Sequence, residues 1–105
     1  MKLSNILKMA ENNCLLFWCP GCDKPHQITY GKGKWFWNGD AEKPTFSPSI
    51  LVSYPANPKA SEEFKEWRTE RICHSFVKNG QIEFLGDCTH KLRGQTVDLP
   101  DFKYE

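Results

Sequence analysis

Apolar and polar positions along this chain alternate in short runs broken by turn residues, a pattern that predicts strands rather than long helices. Cys14-Leu15-Leu16-Phe17-Trp18 is an unbroken apolar run of strand length, and Cys19-Pro20-Gly21-Cys22 after it forces a tight reversal. His26, Ile28 and Tyr30 alternate with Gln27 and Thr29, which predicts a returning strand. A glycine-rich turn at 31–34 leads to Trp35-Phe36-Trp37, a third strand closed by Asn38-Gly39. Alternation puts Trp35 and Trp37 on one face and Phe36 on the other. Pro44, Pro48, Pro55 and Pro58 then punctuate the chain around one β-like run at 49–54. Because proline is confined to sheet edges and strand starts, this stretch is expected to wrap the sheet. Residues 72–77 and 81–85 alternate again and meet at Asn79-Gly80, the signature of a two-residue type I′ hairpin. A last short strand is expected at 95–99.

Helical signals are few. Leu3, Ile6 and Leu7 share one face of a turn or two within residues 1–10, and Ser61 before Glu62 and Glu63 looks like an N-cap. Phe64 and Trp67 share a face of the short helix that this cap would open, running to about Arg71. The expected fold is α+β and β-rich: one domain over residues 1–105, with a small antiparallel sheet and one or two short helices.

Composition sharpens this picture. Sixteen residues are Leu, Ile or Val and fourteen are aromatic, so the core must lean on Phe, Trp and Tyr. Fourteen Lys and Arg against thirteen Asp and Glu leave a charge of +1, too little to draw nucleic acid or an anionic membrane. Lys32 and Lys34 beside Trp35 and Trp37 could form a stacking platform, but core duty fits those rings better in a chain short of aliphatics. No run approaches the roughly 20 apolar residues that span a bilayer. The first ten residues lack a continuous apolar stretch, so no signal peptide is expected. Five cysteines without an export signal imply a reducing compartment, where clustered thiols are more often metal ligands than bridges.

Cys19-x-x-Cys22 sets two thiolates on one knuckle between two strands, which suits two corners of a tetrahedral zinc site. It resembles the Cys-Pro-x-Cys-Gly knuckle of rubredoxins and zinc ribbons, with Asp23 in place of the last Gly. The hairpin register selects the other two ligands. With Asn79-Gly80 as the turn, Val77 stands opposite Ile82 and Cys73 opposite Gly86, and Cys73 and Cys88 share one face. Zn²⁺ is therefore expected on Cys19, Cys22, Cys73 and Cys88, with His90 as a substitute ligand or a group behind the ligands, and His74 as a further alternative. Cys14 reads as a small buried hydrophobe, and His26 as a packed or exposed side chain rather than a ligand. His74 and Asp87 fall together on the opposite face. A carboxylate there can orient an imidazole for general-base work, or the two can form a plain surface ion pair. The zinc-deaminase, His-Glu-x-x-His, Gly-x-Ser-x-Gly and phosphate-loop motifs are absent.

Phe17-Trp18-Cys19-Pro20-Gly21-Cys22, Trp35-Phe36-Trp37-Asn38-Gly39, Lys43-Pro44-Thr45-Phe46-Ser47-Pro48-Ser49 and Cys73-His74-Ser75-Phe76-Val77 together resemble a small phage and prophage family. Phe84-Leu85-Gly86-Asp87-Cys88-Thr89-His90 continues the match. Members often carry an automatic "ammonia monooxygenase" label, which does not fit a chain without membrane spans or copper or iron ligation. The resemblance implies a phage-encoded accessory protein in the host cytoplasm, binding a host or phage protein. One form of this is inhibition of a host defence system. A closed four-thiolate zinc favours binding over turnover, because it leaves no place for a water. The alternative is a small zinc-dependent hydrolase or nuclease using His74, Asp87 and His90.

Overall fold

The computed structural model of the protein describes residues 1–103. The first half of the chain builds a three-stranded antiparallel sheet from β1 (Lys8–Ala10), β2 (Cys14–Cys19) and β3 (Lys24–Thr29), in that order. Residues 36–98 build a five-stranded sheet from β4 (Phe36–Trp37), β5 (Phe46–Tyr54), β6 (Arg71–Lys78), β7 (Gln81–Phe84) and β8 (Thr96–Asp98), also in chain order. Antiparallel neighbours in chain order need only short connections, which suits turns rich in Gly, Pro and Asn.

Both sheets turn one face inward. Leu15, Phe17 and Cys19 of β2 and Ile28 of β3 meet Phe46, Ile50, Cys73, Val77, Ile82 and Phe84 of the larger sheet in one buried core. The Phe17 and Phe46 rings stack across the junction with centroids 5.9 Å apart. Aromatic rings thus join the sheets, as the shortage of aliphatics requires. Trp35 and Trp37 pack half-buried against this core while Phe36 points outward.

The β6–β7 hairpin has the expected register at its turn, with Val77 opposite Ile82 and Lys78 opposite Gln81, but the ladder ends at Ser75 opposite Phe84, so the expected pairing of Cys73 with Gly86 does not form. Asn79 and Gly80 carry φ of 52° and 79°, the left-handed pair that a type I′ turn demands. A Cβ on Gly80 would also stand 3.2 Å from the Lys43 Cα. Gly80→Val therefore meets both backbone strain and a backbone neighbour, and should cost about 2–3 kcal/mol, read as a lower urea midpoint with unchanged m-value. A wild-type midpoint would show that this turn does not fix the hairpin.

Two expectations need correction. The strands form two sheets rather than one, because β4 pairs with β5 and the first sheet ends at β3. Helix is almost absent. Residues 1–10 form no helix: the Ser4 hydroxyl accepts the Ile6 and Leu7 N–H groups, turning the chain so that Leu7 enters the core and β1 pairs with β2. The short helix after Ser61 is a 3₁₀ segment, Glu62–Arg68, with Phe64 off helical geometry and no capping bond from the Ser61 side chain. Among the described residues, no helix is long and apolar enough to cross a membrane.

Candidate active site and metal centre

β5 holds the first element of the site. Its pairing with β6 slips between Phe46, opposite Val77, and Ile50, opposite Ser75, so Ser47, Pro48 and Ser49 all stand against the single Phe76. Pro48 has no N–H to give a ladder, and a bulge is where a strand tolerates that loss. Bulges re-aim the side chains they carry. Here the Ser49 hydroxyl lies 3.0 Å from His74 Nε2.

His74 sits on the outer face of β6, opposite Leu51. Its Nδ1 is 3.0 Å from Asp87 Oδ2. An ionised carboxylate only accepts hydrogen bonds, so Nδ1 carries the proton and donates. In the neutral ring Nε2 is then the free nitrogen and accepts the Ser49 O–H. Ser49, His74 and Asp87 thus form a hydroxyl–imidazole–carboxylate relay with the imidazole in the tautomer that a general base requires. It faces solvent: the His74 side chain is 26% exposed and that of Asp87 53%. Leu51 and Phe76, exposed by 61% and 44%, flank it on the same face. Beyond Phe76 a groove of about 430 Å³ runs past Ser47, Lys78, Gln81 and Glu83.

A second cluster lies between the two sheets, joining Cys73 on the inner face of β6 to Cys19 of β2, His26 of β3 and Cys22 in the turn between them. Cys19, Cys22, His26 and Cys73 are all buried, and their ligating atoms lie within 4.8 Å of one another. Cys73, Cys88 and His90 form a second such group sharing Cys73. The chain reverses sharply between β2 and β3. The Cys22 N–H donates to Cys19 Sγ at 3.4 Å, and Asp23 takes the glycine position at φ 55°. Gly21 matters for a different reason, since a Cβ there would overlap the His90 ring. Cys19 Sγ and Cys73 Sγ are 3.7 Å apart. Two thiolates on a tetrahedral zinc with Zn–S of about 2.3 Å would be about 3.8 Å apart, so the spacing fits.

The three thiols shift one another's ionisation. Hydrogen bonds from Cys19 and Cys73 hold the Cys22 thiol well below the ordinary range. The contact with Cys22, with burial, pushes Cys19 up to about 12, and contacts with Cys19 and Cys22, with burial, push Cys73 up as well. Three buried sulfurs at this spacing cannot all ionise without a positive charge among them. His26 stacks on Phe17 at 5.7 Å and leaves its Nε2 buried without a hydrogen-bond partner. These buried Cys and His groups can hold a metal ion.

The structure separates the residues that the sequence singled out. His74 and Asp87 come together on the outer face as the hairpin parity implied. His90 does not join them: its ring is set edge-on against Phe84, with a second buried Nε2 that lacks a partner, and burial lowers its pKa. A metal site built from His74, Asp87 and His90 has no geometric basis here. Cys14 belongs to neither thiol group, and lies half-buried 3.5 Å from Thr29 Oγ1. Ser49 was not legible as a site residue, because no motif surrounds it. The proline one position earlier, inside a strand, was the one available signal.

The model of the family described as bacterial ubiquitination-like system serine protease (BubE) matches residues 2–85. The chain belongs to the BubE family. The matched span includes Ser49 and His74 and the Cys19, Cys22, His26 and Cys73 cluster, and Asp87 follows just after its end. No curated protein and no solved structure matches the chain.

Proposed function

We propose that the chain is a serine peptidase, with Ser49 as nucleophile, His74 as general base and Asp87 as the group that orients and charge-stabilises the imidazole. The observation that carries this reading is the pair of 3.0 Å contacts through the two nitrogens of one ring. The family name agrees with it: a serine protease of a ubiquitination-like system. In the reaction Ser49 Oγ attacks the scissile carbonyl as its proton passes to His74 Nε2. His74 returns that proton to the leaving amine, and water hydrolyses the acyl-enzyme by the same route in reverse. Leu51, Phe76 and the groove beyond them offer an apolar and polar lining for an extended protein tail. The partner is then a protein substrate, a modifier of the ubiquitin-like kind or its conjugate.

A fluorophosphonate probe tests this directly. It should label the chain once, at Ser49, and labelling should vanish in Ser49→Ala. Labelling elsewhere, or none in folded protein, would overturn the assignment. A protein that acts in a defence-related setting by binding alone, as the phage-family resemblance implied, would show neither labelling nor turnover.

The metal in this reading is zinc, held by Cys19, Cys22 and Cys73 with His26 as fourth ligand. His26 is preferred to Cys88 because its ligating atom lies within 4.8 Å of all three other sulfurs. A Cys₃His set of thiolates and one imidazole favours zinc over the hard cations. Such a centre is closed, so it supports the fold and leaves the chemistry to Ser49.

A further inference from the structure

Two of the three triad residues are chain neighbours of buried sulfurs. Cys73 precedes His74 and Cys88 follows Asp87. Cys73 lies on β6, where successive side chains take opposite faces, so it points inward while His74 points out. Cys88 is likewise buried while Asp87 is exposed. The ladder between β6 and β7 ends at Phe84, opposite Ser75. Beyond it the chain makes a turn closed by the Cys88 N–H to the Leu85 carbonyl at 3.2 Å, and contact resumes where the Thr89 N–H donates to the Ile72 carbonyl. That turn brings Asp87 to the His74 ring. It also brings the Cys88 sulfur to the His74 backbone.

The Cys88 thiol contacts both backbone polar groups of His74. Its Sγ accepts the His74 N–H at 3.2 Å and donates to the His74 carbonyl at 3.1 Å. Along a regular ladder these groups would be served by a partner strand. Here one side chain serves the N–H, and shares the carbonyl with the Leu85 N–H at 2.9 Å. One residue earlier, Cys73 is tied into the sulfur cluster through Cys19 at 3.7 Å.

We propose that Cys88 is a positioning residue for the hydrolytic reaction, its thiol clasping the backbone of His74, while the metal centre grips the same strand through Cys73. The inference rests on the reading of Ser49, His74 and Asp87 as the reacting triad. Neither Cys88 nor the metal touches substrate. Both add to the strand pairing in fixing where the imidazole stands between a hydroxyl at the β5 bulge and a carboxylate on the turn after β7, two places where the regular ladder is interrupted. A displacement of about 1 Å in such a constellation costs about 100-fold in rate. The clasp also assigns Cys88 a use that competes with metal ligation, since a metal-bound sulfur has lost the proton that reaches the His74 carbonyl.

The test compares Cys88→Ala and Cys88→Ser in the full, metal-loaded chain. Cys88→Ala should keep its metal and a cooperative unfolding transition, keep KM, and lose about 100-fold in kcat. The low-field proton resonance of the His74–Asp87 bond should shift or broaden with it. Cys88→Ser, which restores a donor and an acceptor on a shorter arm, should recover part of kcat and the resonance. Wild-type kcat in Cys88→Ala overturns the clasp, and loss of one metal per chain in that variant reassigns Cys88 as a ligand and overturns it as well. Should Cys88→Ala fail to fold, the serine variant decides by the same readouts. Cadmium in place of zinc tests the grip through Cys73 without mutation: its longer bonds to sulfur should lower kcat several-fold at constant KM, and an unchanged kcat removes the metal from the proposal. Failure of the triad reading itself looks different, because Ser49→Ala would then retain turnover.

Discussion

Ser49→Ala should lower kcat for peptide hydrolysis by about 10⁴-fold or more while the protein keeps its fold, its metal and its affinity for substrate. The magnitude follows from what the hydroxyl does. Without it there is no covalent intermediate, and His74 has only water to activate. Asp87→Asn should cost about 10³–10⁴-fold by a different route. An amide can present its N–H₂ to Nδ1, which favours the tautomer with the proton on Nε2. That nitrogen then points a hydrogen at Ser49 and cannot take one from it. Both effects belong in kcat, since neither group is placed to hold the ground-state substrate. Initial rates on a fluorogenic peptide, with unfolding curves run in parallel, check them. If Ser49→Ala stays within tenfold of the wild type, the nucleophile is another group and the relay is a surface network.

Metal removal should have the largest effect on stability. Protein purified without added metal should carry one zinc per chain, and stripping it, or replacing Cys22 by serine, should lower Tm by about 20 °C or more. Structural zinc contributes apparent binding energy of order 10 kcal/mol in small domains, and losing even about 4 kcal/mol moves the Tm of a domain of this size by roughly 16–32 °C. The loss concentrates where the two sheets meet. Cys19 ends β2, Cys73 lies on β6, and without a cation three buried sulfurs and the His26 ring are left crowded together with only weak thiol contacts between them. Cys14→Ser is the control, and should leave metal content unchanged because Cys14 stands outside both thiol groups. Elemental analysis with thiol titration reads the outcome. Absence of metal together with five freely titratable thiols would sink the centre.

The two clusters meet on β6 and take opposite faces of it. A strand has two faces at no cost in length. β6 gives Cys73 inward and His74 outward, and the turn after β7 repeats the device with Cys88 and Asp87. The binding-only reading of the zinc centre followed from the inner face alone. A closed metal site excludes metal-activated water, but says nothing about a hydroxyl on the other side of the sheet.

The sequence by itself determined the local structure. Asn79-Gly80 dictated the hairpin and its register, because only left-handed-tolerant residues make that turn, and the register in turn fixed which of Cys73 and His74 faces the core. Cys-Pro-Gly-Cys dictated the reversal between β2 and β3, and the shortage of aliphatics dictated an aromatic seam. That His74 and Asp87 share the outer face was legible from strand parity, whereas their contact is made by the turn after β7, beyond the end of the ladder at Phe84. What only the tertiary structure decided lies across long connections. Ser49 reaches His74 through the pairing of β5 with β6, strands separated by residues 55–70, and through a bulge whose size no local pattern encodes. His26 reaches Cys73 only because the two sheets pack face to face. Local alternation says which side of a strand a residue takes. Which distant strand lies beside it is settled by the burial of the whole apolar surface, and that is where Ser49 and His26 were hidden.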